Sequence, residues 1–376
     1  MFLFTCISLF FWFLYIVSLF YDVKKYRVLG GIKVSQSSHL LNVGVSALND
    51  FDYLAVVPAH NESFVIGSTI KALFKSGFKT VLVVCDACTD DTRQEALLNG
   101  ALVVEEDFKN KDRAVKTALY DYFDFISNVP SGVFIFDADN ITDVNFLKNC
   151  IPYLGSDLVQ FRWYTKNNNS ILSRSVGAFS SLFFALQRGM MVFFHYSFLG
   201  GTCSYIPYNL LSDYLSIPTF GVVEDFSNSF YMYKKGHRVL FIDVPGVYCY
   251  NENVTSFRAL FLQRLRWARG LVYLLVNKFK DLRTVPVFFF FPFVVFFASV
   301  SSVLMFLNFV HYYIYTLIFL IFPLLVFIKR PDRLGLVSFL LIPFALWVCS
   351  LSCLVGSFTY NNLKWARTEH KIKEVI

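Results

Sequence analysis

Apolar positions along the chain fall into three regimes. Met1–Tyr21 is one apolar run without a charge, residues 30–285 alternate short apolar runs with amphipathic stretches, and Pro286–Gly356 is almost wholly apolar again. Within the middle region, Tyr53–Pro58 (YLAVVP), Thr80–Cys85 (TVLVVC), Ala101–Val104 (ALVV) and Gly132–Phe136 (GVFIF) lack period-two alternation, so they read as strands buried on both faces. Helical periodicity between them predicts helices over 64–76, 90–99 and 112–126. Such alternation predicts an α/β domain with a mostly parallel sheet covered on both sides, whose ligands gather beyond the carboxyl ends of the strands. No repeat or linker rich in glycine and serine divides this block, so one domain over 22–253 is expected.

Composition places the outer regimes in a membrane. The 376 residues are 56% hydrophobic and only 16% charged, against about 25% charged for soluble domains. Met1–Tyr21 is long enough to cross a hydrocarbon core of about 30 Å, and it lacks the basic start and small-residue cleavage site of a secretory leader. Residues 286–356 suit about three spans, at 287–309, 312–328 and 335–356, broken at His311 and at Lys329–Arg333. Lys24, Lys25, Arg27 and Lys33 follow the first span, so the positive-inside rule predicts an integral protein of the plasma (inner) membrane with residues 22–285 in the cytoplasm. Two later spans return Lys329–Arg333 to the same side. A third carries the basic tail, 357–376, to the other side unless the last segment is re-entrant at Pro343. A disulfide framework is not expected from eight cysteines in that compartment, and Cys85–Cys88 lacks a second ligand pair. The net charge of +7 favours anionic headgroups or a phosphorylated substrate over nucleic acid.

The polar residues with chemical potential sit where the strands end: His60 and Glu62, Asp86, and Asp137-Ala138-Asp139-Asn140. Two carboxylates at i and i+2 on an exposed strand end can hold a hard divalent cation that bridges phosphate oxygens. Taken alone, the pattern reads more readily as a capped turn. Glu224-Asp225 precedes a helix-like stretch, where acids are ordinary partners of the helix dipole; a carboxylate there could also accept the proton of an attacking hydroxyl. On a helix, Gln263, Arg266, Trp267 and Gly270 share an arc of about 100° while the remaining face is mostly apolar. An amphipathic helix over 254–285 lying in the membrane interface and an element of an active site are both open readings of that spacing.

In order along the chain, these pieces resemble the membrane-bound family 2 glycosyltransferases, the branch of cellulose, chitin, hyaluronan and poly-N-acetylglucosamine synthases. The motifs are Val57-Pro58-Ala59-His60-Asn61-Glu62, Cys85-Asp86-Ala87-Cys88-Thr89-Asp90-Asp91-Thr92, Lys111 before Ala114 and Ala118-Leu119, Asp137-Ala138-Asp139, Leu199-Gly200-Gly201-Thr202, Glu224-Asp225 and Gln263-Arg264-Leu265-Arg266-Trp267. The resemblance implies a GT-A-like, Rossmann-related fold flanked by transmembrane helices. It implies nucleotide-sugar contacts from Pro58, His60, Glu62, Asp86, Lys111, Asp137, Gln263 and Arg266. Asp139 would be the direct ligand of Mg2+ or Mn2+ with Asp137 in support, Asp225 would be the base with Glu224 beside it, and Gly201, Thr202 and Trp267 would line the acceptor side. The chain departs from the pattern at Asp112, where a glycine is usual, at Val223, where threonine is common, and at Asn251 within Tyr250-Asn251-Glu252.

The expected partners are therefore a UDP-sugar (UDP-GlcNAc or UDP-glucose), a glycan or lipid acceptor and membrane lipids, with no nucleic acid. The expected reaction is an inverting transfer that builds a β-linked polysaccharide. Single transfer to a lipid is a second reading, and a catalytically inactive nucleotide-binding subunit a third. A solute carrier is disfavoured, because the apolar region after 286 holds almost no ionisable group within its spans beyond His311. Arg264 and Arg269 lie off the Gln263–Arg266–Trp267 arc and are expected as a basic collar at the headgroups.

Overall fold

A computed structural model describes residues 53–125, 130–167, 170–219, 223–282 and 342–362. The spans expected at 1–21, 287–309 and 312–328, and the tail beyond 362, lie outside the described residues. So does most of the first half of 335–356. Among the described residues no helix is long and apolar enough to cross a membrane.

Four parallel strands form the first half of the sheet: β1 (Tyr53–Ala59), β2 (Thr80–Asp86), β3 (Leu102–Glu106) and β4 (Gly132–Ile135). Between them run α1 (Ile66–Lys75), α2 (Thr92–Leu98) and α3 (Lys111–Phe125). These elements match the expected ones to within a few residues. Alternate residues of β1 serve two cores. Leu54 and Val56 pack with Ala114, Val115, Ala118 and Leu119 of α3 on one side. Tyr53, Ala55 and Val57 pack with Ile66, Ile70 and Leu73 of α1 on the other. Burial on both faces is the reason this strand shows no alternation. β3 departs from the expectation of full burial: it is the edge strand, and Leu102 is half exposed.

Beyond β4 antiparallel pairings enter the sheet, yet among the described residues five of the eight strand pairings are parallel, in line with the expected mostly parallel sheet. The described strands β5 (Ile141–Thr142), β6 (Leu158–Thr165), β7 (Ser204–Pro207), β8 (Val239–Ile242) and β9 (Tyr248–Asn251) complete the order β3-β2-β1-β4-β7-β6-β9-β5, with β8 also on β6. β7 enters antiparallel between β4 and β6, and β5 pairs antiparallel with β9. The result is a mixed sheet. It is joined by α4 (Phe146–Cys150), α5 (Ile171–Phe194), α6 (Tyr208–Leu215), α7 (Glu224–Lys234), α8 (Phe257–Leu282) and α9 (Ile342–Thr359).

The polar stripe of 263–270 lies on α8, whose bounds fit the expected 254–285 helix. Its neighbour corrects the collar. α9 runs along α8, where the Ser352 hydroxyl donates to Phe261 O at 3.3 Å and Gly356 meets Ala268. Arg264 is consequently buried, its guanidinium 4.1 Å above the Trp267 ring. Arg269 Nε donates to Thr359 Oγ1 at 2.9 Å. These arginines face protein because a helix already covers that side of α8.

Aromatic side chains fill the middle of the sheet around Phe134, whose ring lies 5.0 Å from Tyr205 and 6.0 Å from Phe161. Gly132 is where the Tyr205 ring crosses the strand, and a Cβ there would overlap it. Gly132→Ala should therefore lower unfolding free energy by about 1–3 kcal/mol. Gly155→Ala, with nothing near its added Cβ, should stay within about 0.5 kcal/mol. Chemical denaturation of both variants checks the contrast.

Candidate active site

The parallel strands deliver their polar residues to one edge, as expected. β1 can carry Pro58 because β4 pairs only as far as Val56, so the missing N–H removes no ladder bond on that side. His60 follows, with Nδ1 2.6 Å from Asp86 O. Glu62 is buried, and its backbone N–H donates to the Thr92 hydroxyl at 2.7 Å, which ties the loop after β1 to the start of α2. Asn61 and Ala87 both take the left-handed conformation here, at φ 57° and 54°. Three loop ends thus converge on Asp86.

Asp86 closes β2 and organises the loop before α3. Its Oδ1 accepts the N–H groups of Phe108 and Lys109, each at 2.8 Å, and Oδ2 accepts that of Asn110 at 2.7 Å. That loop starts α3 at Lys111. The Lys111 ammonium donates to Asp137 Oδ1 at 2.6 Å and to Gly201 O at 2.9 Å, and lies 3.8 Å from Glu224 Oε1. Burial opposes the charged form, yet the facing carboxylates of Asp137, Glu224 and Asp225 win, and the lysine is held above its ordinary range.

Opposite Lys111 lies the turn 200–203. Gly201 adopts φ 81°, and a Cβ on it would stand 3.2 Å from Asp225 Oδ2, so a side chain there would press on that carboxylate. The turn is pinned by the fully buried Gln160 of β6. Its amide nitrogen donates to Thr202 O at 2.9 Å, and its amide oxygen accepts the Gly200 N–H at 2.6 Å. Thr202 is buried: its hydroxyl accepts the Asp137 N–H at 2.9 Å and donates to Asn140 Oδ1. The structure therefore places Thr202 behind Asp137 as a support.

Glu224 and Asp225 open α7, as expected for the pair. Val223 before them is left-handed at φ 50° and gives no side-chain cap. Asp225 Oδ1 instead accepts the Phe226 N–H at 2.8 Å. Burial first, and repulsion from Glu224 second, push the Asp225 carboxyl up to about 7. Arg266 completes the cleft from α8. Burial pulls its guanidinium down, and the carboxylates of Glu224, Asp137 and Asp225 oppose that shift. Gln263 is half-buried on the same helix, while Trp267 is 44% exposed and stacked on Arg264.

The two aspartates expected to hold a metal are not equivalent. Asp137 turns to the cleft and meets Lys111. Asp139 is buried, with Oδ2 accepting the Glu252 N–H at 2.7 Å and its carbonyl accepting Lys166 Nζ at 2.9 Å. Among the described residues no group of three or more histidines, cysteines and acids could hold a metal. Sites for Mg2+ commonly need only one or two carboxylates, with phosphate and water completing the shell. Asp137, which already meets a cationic ammonium, fits that need better than the buried Asp139, the reverse of the expected order of the two.

Gln160, Arg162 and Lys166 escaped the sequence reading. Arg162 and Arg188 both bond Asp243, and Lys166 sits between Asp139 and Glu252. Their signal is an alternation: Gln160, Arg162 and Tyr164 interleave with Val159, Phe161, Trp163 and Thr165 along β6, and Lys166 follows the strand.

Comparison with known proteins follows the same lines. Residues 132–328 match the model of the glycosyl transferase family group 2. An uncharacterized protein of Methanocaldococcus jannaschii is 39% identical over 62 residues, which are 16% of this chain and 26% of that one. The chain thus spans about a quarter of the curated relative it matches. Among solved structures, a mannosyltransferase from Pyrobaculum calidifontis in complex with GDP-Man and Mn2+ is similar with a TM-score of 0.51 and 16% identity, over 82% of this chain and 88% of that one. TarS of S. aureus in complex with UDP-GlcNAc gives a TM-score of 0.41 and 16% identity, over 65% of this chain and 73% of that one. At 16% identity the mannosyltransferase likeness is one of fold, and it agrees with a GT-A arrangement of the mixed sheet.

The Asp86 carboxylate accepts three backbone N–H groups at once. Asp86→Ala should destabilise the protein by on the order of 3 kcal/mol and speed proteolytic cleavage within 106–111. Denaturation and limited proteolysis read the two effects separately.

Proposed function

The chain belongs to glycosyl transferase family group 2 and is a glycosyltransferase, and on that premise we propose an inverting transfer from a UDP-sugar at the cleft between Asp137 and Asp225. The observation that carries the reading is the convergence of Lys111, Asp137, Glu224, Asp225 and Arg266 around the 200–203 turn. The nucleotide would lie along His60 and Asp86, at the ends of β1 and β2. Lys111 and Arg266 would meet the diphosphate. Asp137 would hold a divalent cation with Asp139 behind it, as the Mn2+ bound to the mannosyltransferase of similar fold suggests. Once bound, that ion would neutralise the charge growing on the departing diphosphate.

Asp225 takes the proton of the acceptor hydroxyl as its oxygen attacks the anomeric carbon. Its placement beside Gly201 leaves backbone, rather than a side chain, at the approach. Glu224 keeps Asp225 from being too weak a base, because the second negative charge favours the protonated product of that step. In line attack converts an α-linked donor into a β-linked product. Gly201 and Trp267 would border the acceptor.

For the product we propose a β-linked polysaccharide from UDP-GlcNAc or UDP-glucose. The domain would sit on the cytoplasmic face of the plasma membrane, with residues 1–21 and 286–356 in lipid and α8 at the interface. Transfer of a single sugar to a lipid is the second reading. Incubating membranes with radiolabelled UDP-sugars separates them: polymer stays at the chromatographic origin, whereas a glycolipid migrates.

Asp225→Asn should reduce transfer by about a thousandfold or more while leaving UDP affinity within a factor of about two. The base works ionised, so kcat/KM of the parent enzyme should rise with pH up to about 7 and level off above it. An Asp225→Asn enzyme of full activity, or a flat profile between pH 5 and 8, would sink the base assignment.

A further inference from the structure

Beneath the cleft, α3 and α7 are joined by polar groups that take no part in the chemistry described above. Asp112, Lys116 and Asn228 are 3%, 6% and 1% exposed. Lys116 Nζ donates to Asp112 Oδ2 at 3.0 Å, to Asn228 Oδ1 at 3.0 Å and to Ile217 O at 3.2 Å. The Asn228 amide nitrogen donates to Asp112 Oδ1 at 2.9 Å and to Tyr214 Oη at 3.2 Å. The ammonium has three donors and all are used; the amide gives both of its own and accepts one. A buried ion pair of this kind adds little net stability over apolar packing, and its best-attested use is to fix one arrangement.

Its position says what is being fixed. Asp112 follows Lys111, which holds Asp137 and the 201 carbonyl. Asn228 lies one helical turn after Glu224, on the same side of α7. The first turn of α7 has no side-chain cap, so its location depends on residues further in. Ser229 ties it to the 200–203 turn by accepting the Leu199 N–H at 2.7 Å, and Asn228 ties it to α3. A small cavity is lined both by Asp112, Tyr214 and Asn228 and by Lys111, Glu224 and Asp225.

We propose that Asp112, Lys116 and Asn228 are positioning residues: a charge-neutral clamp that holds the Glu224–Asp225 turn at a set distance from the donor-side helix. The inference rests on Asp225 being the base, and it gives Asp112 a role in place of the glycine usual there. Removing the clamp leaves donor binding to β1, β2 and Lys111 but lets the base wander.

The test uses the full chain in detergent, with hydrogen exchange read by mass spectrometry, UDP binding, and release of UDP from UDP-GlcNAc with Mn2+. In Asn228→Ala, amides of 226–229 should exchange about tenfold faster or more, while those of β1 and β2 stay within about twofold. UDP affinity and the KM for UDP-GlcNAc should hold within about twofold while kcat falls about tenfold or more. Because Lys116 stands 3.0 Å from both partners, the exchange variant Asp112→Asn/Asn228→Asp keeps charge and bonds and should restore protection and kcat to within about threefold of the parent. Unchanged exchange at 226–229 in Asn228→Ala overturns the clamp. So does a loss of protection shared equally by β1 and β2. A parent chain that never releases UDP would count against the donor reading, and the exchange data would still decide the clamp.

Discussion

Everything around the cleft depends on how three carboxylates are kept in one place. Asp137 follows β4 while Glu224 and Asp225 open α7, and the three would repel one another across a site partly withdrawn from water. The Lys111 ammonium bonds Asp137 and the Gly201 carbonyl and faces Glu224 at 3.8 Å. That contact joins Asp137, the 200–203 turn and the α7 acids through one charge. The fold is arranged to deliver it: β4 supplies Asp137, Gln160 fixes the turn, and Asp86 fixes the loop from which Lys111 emerges.

The charges also favour the proposed nucleotide diphosphate at this cleft. Lys111 and Arg266 bring two positive charges toward three acids, and the raised Asp225 carboxyl eases that excess near neutral pH. Adding a diphosphate makes the site strongly negative unless a further cation arrives with it, and Asp137 is the acid turned toward where it would lie. On the proposed reading, the acid that would act as a base must at the same time stay away from that cation. Separate elements satisfy both needs, and one motif could not.

Much of the first half was legible because burial on both faces leaves a plain mark. YLAVVP and TVLVVC became β1 and β2, and the helices between them began and ended within a few residues of the expected bounds. The edge strand β3 was expected as buried, since ALVV carries no trace of which neighbour is missing. β6 was overlooked although its polar residues alternate, because aromatic and charged side chains mix on the same face. Lys111, Asp137, Asp225 and Arg266 were visible as motif members, and the structure brings them together. The burial of Arg264 and the bond of Arg269 to Thr359 depend on α9, some 80 residues later in the chain, and no local pattern announces such a partner. The same holds for Asp112 and Asn228, whose meeting is set by tertiary packing alone.

The central claim is that Asp225 acts from the side of the anomeric carbon opposite the departing diphosphate. Proton NMR of the first product formed from α-linked UDP-GlcNAc, recorded before any mutarotation of released sugar, tests it most directly. The account predicts a β-anomeric linkage in every initial transfer. An α-linked product would contradict a single in-line displacement with Asp225 as its base.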